Sequence, residues 1–312
     1  MEIAITIGKF LVFPGLLFTT VAGLIACWID RKITARVQWR KGPPFFQPFY
    51  DILKLWGKDT ILPKSGNKIL FILAPMLGLA GITIVSIILW NVNLFQKSFI
   101  GDLIVVAYLL VIPSLAIILG GSASGNPLAS QGASREIKLL LAYELPFVLC
   151  IALIIIKNAG SFQLTEIVQQ SLLNSVSGVI GFIIILLCVQ AKLGFVPFDI
   201  AEAETELMGG VYIEYSGGLL SIFKIMQAMM LFTLPVLIST LFLGGLVFYG
   251  WEILWSIIKI VGILAIIIVV KNTNPRVRID QAVKFFWRVC GSLALIAVIL
   301  AIIGKLYAIP WL

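Results

Sequence analysis

The sequence contains no histidine and only four cysteines, Cys27, Cys150, Cys188 and Cys290, and no two of these form a CxxC pair. Structural zinc sites and iron–sulfur clusters need several thiolates or imidazoles close together. We therefore expect no catalytic residue, metal site or bound cofactor in this chain itself. The cysteines are interpreted as small buried hydrophobic residues.

Charged residues are also scarce. They make up 12% of the chain, whereas hydrophobic residues make up 60%, and soluble domains carry roughly 25% charged residues. The net charge of +8 does not indicate nucleic-acid binding, because the basic residues lie in a few loops beside apolar runs, which is the pattern of membrane topology. The composition predicts an integral membrane protein.

Eight apolar segments are long enough to cross a hydrocarbon layer of about 30 Å. No internal repeat accompanies them, which argues against an inverted-repeat transporter. The fold class expected is therefore all-α, a polytopic membrane protein with about eight transmembrane helices that form a single membrane domain over residues 1–312. The segments are 9–29, 68–92, 102–121, 137–157, 174–192, 216–246, 252–271 and 284–305.

The basic residues predict the orientation in the cell membrane. Most of the 23 lysines and arginines fall in the odd-numbered loops, whereas Lys9, Lys97, Lys157 and Lys305 fall on the other side. The positive-inside rule then places both termini outside the cell. The cytoplasmic loops are expected at 30–67, 122–136, 192–215 and 272–283.

Two stretches have the pattern of short amphipathic helices that lie in the membrane plane. In residues 48–58, Phe49, Ile52, Leu53 and Trp56 fall at i, i+3, i+4 and i+7, which places them on one helix face. Residues 161–173 show a similar pattern on the outer side. The alternative for both stretches is a plain interfacial connector, and for the second stretch we favour that interpretation.

Five carboxylates lie within residues 192–217. If this stretch is helical, Asp199, Glu202 and Glu206 share one face, and repulsion between them raises some of their pKa values. Such a cluster is suited to proton relay or to docking a basic partner, while the simpler interpretation is a solvated acidic loop. The cluster comprises Asp199, Glu202, Glu204, Glu206 and Glu214.

Two further charged residues interrupt apolar helices. Glu144 is costly inside a membrane unless it is protonated, paired or facing water, and Pro146 frees a backbone carbonyl beside it. We expect Glu144 to belong to an internal polar path, with an ion pair to Arg135 or Lys138 as the alternative. Lys259 is a weaker candidate, either as a relay residue or as the partner of Glu252.

The first cytoplasmic loop is long, basic and aromatic, and it turns on Gly42-Pro43-Pro44. Such a loop beside a membrane binds either anionic lipid or a protein partner, and its ordered turn residues favour a docking platform. The residues expected to form this platform are Arg31, Arg36, Arg40, Lys41, Gly42, Pro43, Gln47, Asp51 and Lys54.

Several stretches now identify a family. The segments RKITARVQWRKGPP with QPFYDILKL, NKILFILAPML, SREIKLLLAYELP and GFVPFDIAEAETELMGGVYIEYSG resemble the membrane anchor subunit of complex I, the NADH dehydrogenase subunit 1 or H-type family. This subunit type also occurs in energy-converting membrane-bound NiFe hydrogenases and related sulfane sulfur reductases. The resemblance implies that the first and third cytoplasmic loops face a soluble electron-transfer module. It also implies that Glu144 and the five carboxylates join redox events to an ion path.

The loop from Gly42 to Pro48, GPPFFQP, is shorter than the corresponding loop of quinone-reducing complex I, and this favours the hydrogenase or sulfane sulfur reductase branch. We therefore expect an ion-translocating subunit, not redox-active itself, of a ferredoxin-dependent oxidoreductase that moves protons or sodium ions. The implied partners are hydrogenase-like large and small soluble subunits with 4Fe–4S clusters and a NiFe centre, antiporter-like membrane subunits, ferredoxin and the lipid bilayer, and no nucleic acid. The alternatives are a quinone-site subunit, a free-standing secondary transporter and a purely structural anchor.

Overall fold

In a bilayer, every backbone polar group needs a partner within its own segment, so long apolar runs fold as helices. The computed structural model describes residues 8–307, 309 and 311, without the side chains of Glu204 and Thr205. Its helices are α1 (Leu16–Val37), α2 (Gln47–Trp56), α3 (Lys68–Phe95), α4 (Asp102–Leu109), α5 (Ile112–Ala123), α6 (Pro127–Lys157), α7 (Leu164–Ile167), α8 (Val176–Lys192), α9 (Glu204–Leu207), α10 (Gly217–Phe242), α11 (Glu252–Thr273), α12 (Ile279–Lys284) and α13 (Gly291–Leu306).

Seven candidate spans are long and apolar enough to cross a membrane, and α8 is a shorter apolar helix of 17 residues. The all-α polytopic fold is therefore confirmed. The long spans are Gly8–Val37, Lys68–Phe95, Asp102–Ala123, Pro127–Lys157, Gly217–Phe242, Glu252–Thr273 and Ile279–Leu306.

Helix α10 lies at the centre of the bundle and is buried along most of its length. It packs against α1, α3 and α11, while α6 packs against α5, α8 and α13. Tyr215, just before α10, stacks on Phe71 with ring centroids 3.9 Å apart, and its hydroxyl donates to the Phe71 carbonyl at 2.9 Å. This contact fixes the end of residues 192–217, which we call the acidic segment, against α3.

The first amphipathic helix is present as α2, and residues 161–173 form a connector, as the favoured interpretation has it. Within 161–173 the structure contains only the single turn α7 and a 3-10 turn at Leu172–Asn174. Leu164 and Ile167 of α7 are buried against the bundle, so this segment is anchored by packing and does not lie on the surface as an amphipathic helix.

Helix boundaries also differ from those that hydropathy predicts. Helix α1 continues to Val37, and α6 begins at Pro127, where Asn126 accepts a hydrogen bond from the Leu128 amide at 2.9 Å. Much of the predicted loop 122–136 is therefore the first turns of α6. The polar residues there are helical because they pack against the acidic segment. Hydropathy does not take such packing into account.

Candidate functional site: a charged cavity at the basic end

A cavity of about 350 Å³ lies at the end of the bundle that carries the basic loops, which we call the basic end. Helices α1, α2 and α10 and the segment 193–202 surround it, and Leu24, Ile52 and Met230 are among its apolar lining residues. Its charged lining residues are Asp30, Arg31, Asp51, Glu136, Lys192, Asp199, Glu202, Lys224 and Lys271.

The acidic segment reaches this cavity in an irregular conformation. No helix covers residues 197–203, and α9 is a single turn. The three residues that follow it, Met208, Gly209 and Gly210, all have positive φ. The prediction that Asp199, Glu202 and Glu206 share one face of a helix is therefore wrong. Pro197 lacks the amide that a continuing helix needs, and the left-handed residues end any helix after Leu207.

The carboxylates of this segment each have a different environment instead. Glu202 lines the cavity, Glu206 is exposed, and the side chain of Glu204 lies outside the described residues. The partners and distances are Asp199 with Arg276 at 2.9 Å, Glu202 with the Gln227 amide at 2.7 Å, Glu206 with Arg135 at 2.7 Å and Glu214 with the Asn126 amide at 2.6 Å.

The sequence analysis missed two carboxylates that line the cavity: Asp30, which pairs with Lys271 at 2.7 Å, and Glu136. Glu136 is 6% exposed and lines the cavity, where it is close enough to Glu202 for the two carboxyl groups to repel. The Ser114 hydroxyl interacts with Glu136 and lies 3.0 Å from the Tyr143 hydroxyl. A signal was available, because Glu136 shares a helix face with Tyr143 at i+7 within an otherwise buried stripe.

Glu144 forms an ion pair with Lys192, not with Arg135 or Lys138. The Lys192 side chain is fully buried, and its ammonium lies 4.9 Å from the Tyr143 ring and 4.5 Å from the Phe147 ring. Since Lys192 also lines the cavity, it connects the cavity to Glu144 on the flank of α6.

Lys259 lies far from this group of residues, at the other end of the bundle. Its ammonium donates to the carbonyl oxygens of Leu243 at 2.7 Å and Gly245 at 2.9 Å. The ammonium thus holds the connection between α10 and α11, and the charge of Glu252 also acts on it.

The first loop contributes both to the cavity and to the surface. Arg31 donates to Asp51 at 2.6 Å, and Gln47 donates to Asp51 at 3.0 Å. Partial burial raises the pKa of Asp51, but these hydrogen bonds and the charges of Arg31 and Lys54 outweigh it, so the pKa lies below its usual value. Asp51 therefore stays ionised and holds α2 against α1.

The remaining platform residues lie at the surface around a tight turn. Gly42 has a φ of +68° and sits against Ala35 and Lys32, where a side chain would be strained; Pro43 follows it, half-buried. The basic residues of the platform are exposed, and Trp39 beside the turn is 98% exposed. These basic residues are Arg31, Arg36, Arg40, Lys41 and Lys54.

Three hydrogen bonds tie the first loop to the start of α10. The Trp56 indole donates to Ser221 at 2.8 Å, the Ile61 amide to Ser216 at 3.0 Å and the Gly218 amide to Thr60 at 3.2 Å. The basic loop and the acidic segment therefore form one continuous surface above the cavity.

Within the described part of the chain, no three histidine, cysteine, aspartate or glutamate side chains are placed to hold a metal ion. The chemistry that this arrangement supports is proton binding and release by carboxylates near cationic groups, because burial and neighbouring charges control their proton affinity.

Known proteins share this architecture. The model of the NADH dehydrogenase family matches residues 9–302. The H subunit of the NADH-quinone oxidoreductase of Geobacillus kaustophilus is 32% identical over 96% of this chain and 93% of its own, and that of Syntrophotalea carbinolica is 35% identical over 91% and 92%. A chain of the membrane-bound sulfane sulfur reductase, an archaeal respiratory membrane complex, matches with a TM-score of 0.86 at 30% identity, over 96% of this chain and 99% of that one. This chain therefore belongs to the NADH dehydrogenase subunit 1/H family.

Proposed function

We propose that this chain is the membrane subunit of an energy-converting, complex I-like oxidoreductase. It anchors a soluble electron-transfer arm at its basic end and couples electron transfer to the movement of protons or sodium ions. The observation that carries this proposal is the series of titratable groups that leads from the cavity at the basic end to Glu144 on the flank of the bundle.

The anchoring role rests on the surface above the cavity. Exposed basic side chains and Trp39 stand on the end of α1, on α2 and on the loop between them, and hydrogen bonds hold α2 against α1 and α10. A rigid surface of arginine, lysine and aromatic groups is suited to a permanent protein interface, in which arginine and aromatic residues supply much of the binding energy.

The coupling role rests on the order of the groups. Glu202 and Glu136 line the cavity, and Lys192 lines it as well and pairs with Glu144. Exposed apolar residues, Leu141 and Leu145, flank Glu144 on α6. A carboxyl group at such a position is costly next to lipid, so a neighbouring membrane subunit is the expected recipient of the ion.

The physical mechanism is a change in proton affinity. When a redox centre in the soluble arm gains an electron, the added negative charge raises the pKa of nearby carboxylates and draws in a proton. Oxidation reverses this effect, and the released proton, or the change in charge itself, acts on the Lys192–Glu144 pair. The coupling is reciprocal, so the ion gradient also shifts the redox equilibrium.

The proposed electron donor is ferredoxin, and the proposed partners are hydrogenase-like large and small subunits and antiporter-like membrane subunits. The 4Fe–4S clusters, and a NiFe centre if the complex is a hydrogenase, belong to the soluble subunits. The short GPPFFQP loop and the likeness to the sulfane sulfur reductase chain support this branch. The acceptor is then protons or sulfur species, which co-purification in mild detergent distinguishes by the presence or absence of nickel.

Membrane vesicles that contain the complex test the coupling role. In Glu144→Gln, electron transfer to a soluble acceptor should continue while the number of ions pumped per electron falls severalfold. Glu166→Gln is the matched control, because Glu166 is an exposed carboxylate at the other end of the bundle, and its pumping ratio should stay normal. An unchanged ratio in Glu144→Gln contradicts the proposal.

The cavity itself favours a second candidate, a quinone-site subunit. Its volume of about 350 Å³ lies within the range of roughly 300–1,000 Å³ that is typical of small-molecule sites. An inhibitor of quinone sites that stops turnover of the purified complex supports this candidate. Full turnover in quinone-depleted, inhibitor-treated complex rules it out.

A further inference from the structure

A second recess, of about 420 Å³, lies at the end of the bundle opposite the basic end. The C-terminal turns of α6 and α13 and the connection 170–175 surround it. Nothing in the proposed coupling mechanism uses this recess, and its polar lining residues are Lys157, Gln170, Ser171, Asn174, Ser175 and Lys305. We call it the lysine recess.

Its charge is strongly one-sided. Two lysines line it, and its described lining residues include no carboxylate. Of the lysines predicted on this side of the membrane, Lys9, Lys97, Lys157 and Lys305, half therefore converge on one depression. Within the described part of the chain, neither Lys157 nor Lys305 has an ion pair. A lysine near the C-terminal end of a helix is attracted by the helix dipole whichever way its side chain points. The helix dipole therefore does not explain why both lysines border the same recess.

The length of α8 indicates that the recess lies at the depth of lipid headgroups. Helix α8, whose N-terminal end adjoins it, has 17 residues and is therefore about 26 Å long, somewhat shorter than a hydrocarbon layer of about 30 Å. A short span draws the polar connection before it down to the headgroup level and thins the bilayer locally. Ser171 to Ser175 are therefore placed where a lipid phosphate lies.

An apolar surface continues from the recess toward the membrane interior. Val176, Val179 and Ile183 are exposed on α8 at i, i+3 and i+7, and Ile302 and Leu306 are exposed on α13. These side chains can contact acyl chains while the lysines and hydroxyl groups contact the headgroup. The combination of cationic groups above an apolar surface fits an amphipathic anion.

We propose that the lysine recess binds the phosphate headgroup of an anionic phospholipid, with its acyl chains along α8 and α13. The two lysines neutralise the phosphodiester charge, and the side-chain amide of Asn174, which is exposed and lines the recess, can donate a hydrogen bond to it. A lipid held there fills the depression above the junction of α6, α8 and α13, where the small residues Ala297 and Ala301 pack against Leu153.

Native mass spectrometry of the purified protein, with the subunits that remain bound to it, tests this proposal. After delipidation, the protein is titrated with phosphatidylglycerol, with phosphatidylcholine and with inorganic phosphate. Phosphatidylglycerol should bind more tightly than phosphatidylcholine. Lys157→Gln and Lys305→Gln should each weaken its binding about fivefold, and the double variant about twenty-five-fold, as expected for the loss of one surface lysine contact each.

Two variants serve as controls. Lys97→Gln removes an exposed lysine elsewhere on the same side and should bind phosphatidylglycerol like the native chain, and Lys157→Arg with Lys305→Arg should retain binding because the charges remain. The proposal is overturned if both lipids bind equally, or if the double glutamine variant, with native thermal stability, still binds normally. Displacement of the lipid by inorganic phosphate at equal concentration also overturns it, since that result indicates a site for a small free anion.

Discussion

Lys192 carries a charge that is costly to hold inside this bundle. Its side chain is fully buried, and its stabilisation comes from the Glu144 carboxylate and from the faces of Tyr143 and Phe147. The sequence identified Glu144, because a carboxylate stands out in an apolar helix. It could not identify the partner, since the pairing joins residues 48 positions apart and depends on how α6 packs against α8.

Glu144→Ala should leave the Lys192 ammonium buried without a counter-charge. We expect a loss of about 3–5 kcal/mol in the free energy of unfolding, as for other broken buried ion pairs, measured by denaturant unfolding in detergent micelles. Glu144→Ala combined with Lys192→Met removes both charges and should recover most of that loss. A double variant as unstable as the single one would show that the ion pair is not the cause.

The environment of Tyr212 predicts that the stability of the folded state depends on pH in the alkaline range. Burial, followed by the negative charges of Glu202 and Glu136, raises the pKa of Tyr212 well above its usual value. The folded state therefore holds the neutral phenol more strongly than the unfolded state does. This contribution to stability is complete below pH about 10, the unfolded pKa, and is lost as pH rises from there toward the folded pKa.

Thermal unfolding measured across this alkaline range checks the expectation. The native chain should lose stability more steeply than Tyr212→Phe, which has no phenol to ionise. The variant starts from a lower value because the Gln227 amide, which donates to the Tyr212 hydroxyl at 3.1 Å, loses a partner. Parallel curves for the two proteins would mean that Tyr212 does not titrate as described.

Among the elements, the acidic segment shows where sequence reasoning was insufficient. Its composition identified five carboxylates between two spans, and the structure places those whose side chains it describes in different environments. Its conformation was not predicted, because Pro197 and the left-handed residues Met208 to Gly210 break the helix that spacing arguments assume. Glu136 was missed for a related reason, since hydropathy assigned its surroundings to a loop while packing makes them the start of α6.

The first loop and the start of α10 should behave as one element. Trp56→Phe removes the hydrogen bond to Ser221 and should cost about 0.5–1.5 kcal/mol of local stability, so that proteases cut residues 57–66 faster in detergent. Ser221→Ala should have a similar effect, and the two changes together should cost little more than either alone. Fully additive effects would indicate that the two side chains act independently.

At the scale of the whole molecule, hydropathy predicted most spans because the bilayer demands long apolar helices. The cavity could not be predicted, because it forms between segments that are distant in sequence, including α1, α2, α6 and the acidic segment. The central claim also belongs to this scale: the carboxylates of the cavity change their proton affinity when a redox partner at the basic end changes its charge.

Redox-triggered infrared difference spectroscopy of the intact complex tests this claim most directly. Reduction of the soluble arm should produce a band of newly protonated carboxyl groups, and that band should weaken in Glu202→Gln and Glu136→Gln but persist in Glu166→Gln. If reduction produces no carboxyl band, or if the band is unchanged in both cavity variants, the cavity does not couple electron transfer to proton binding.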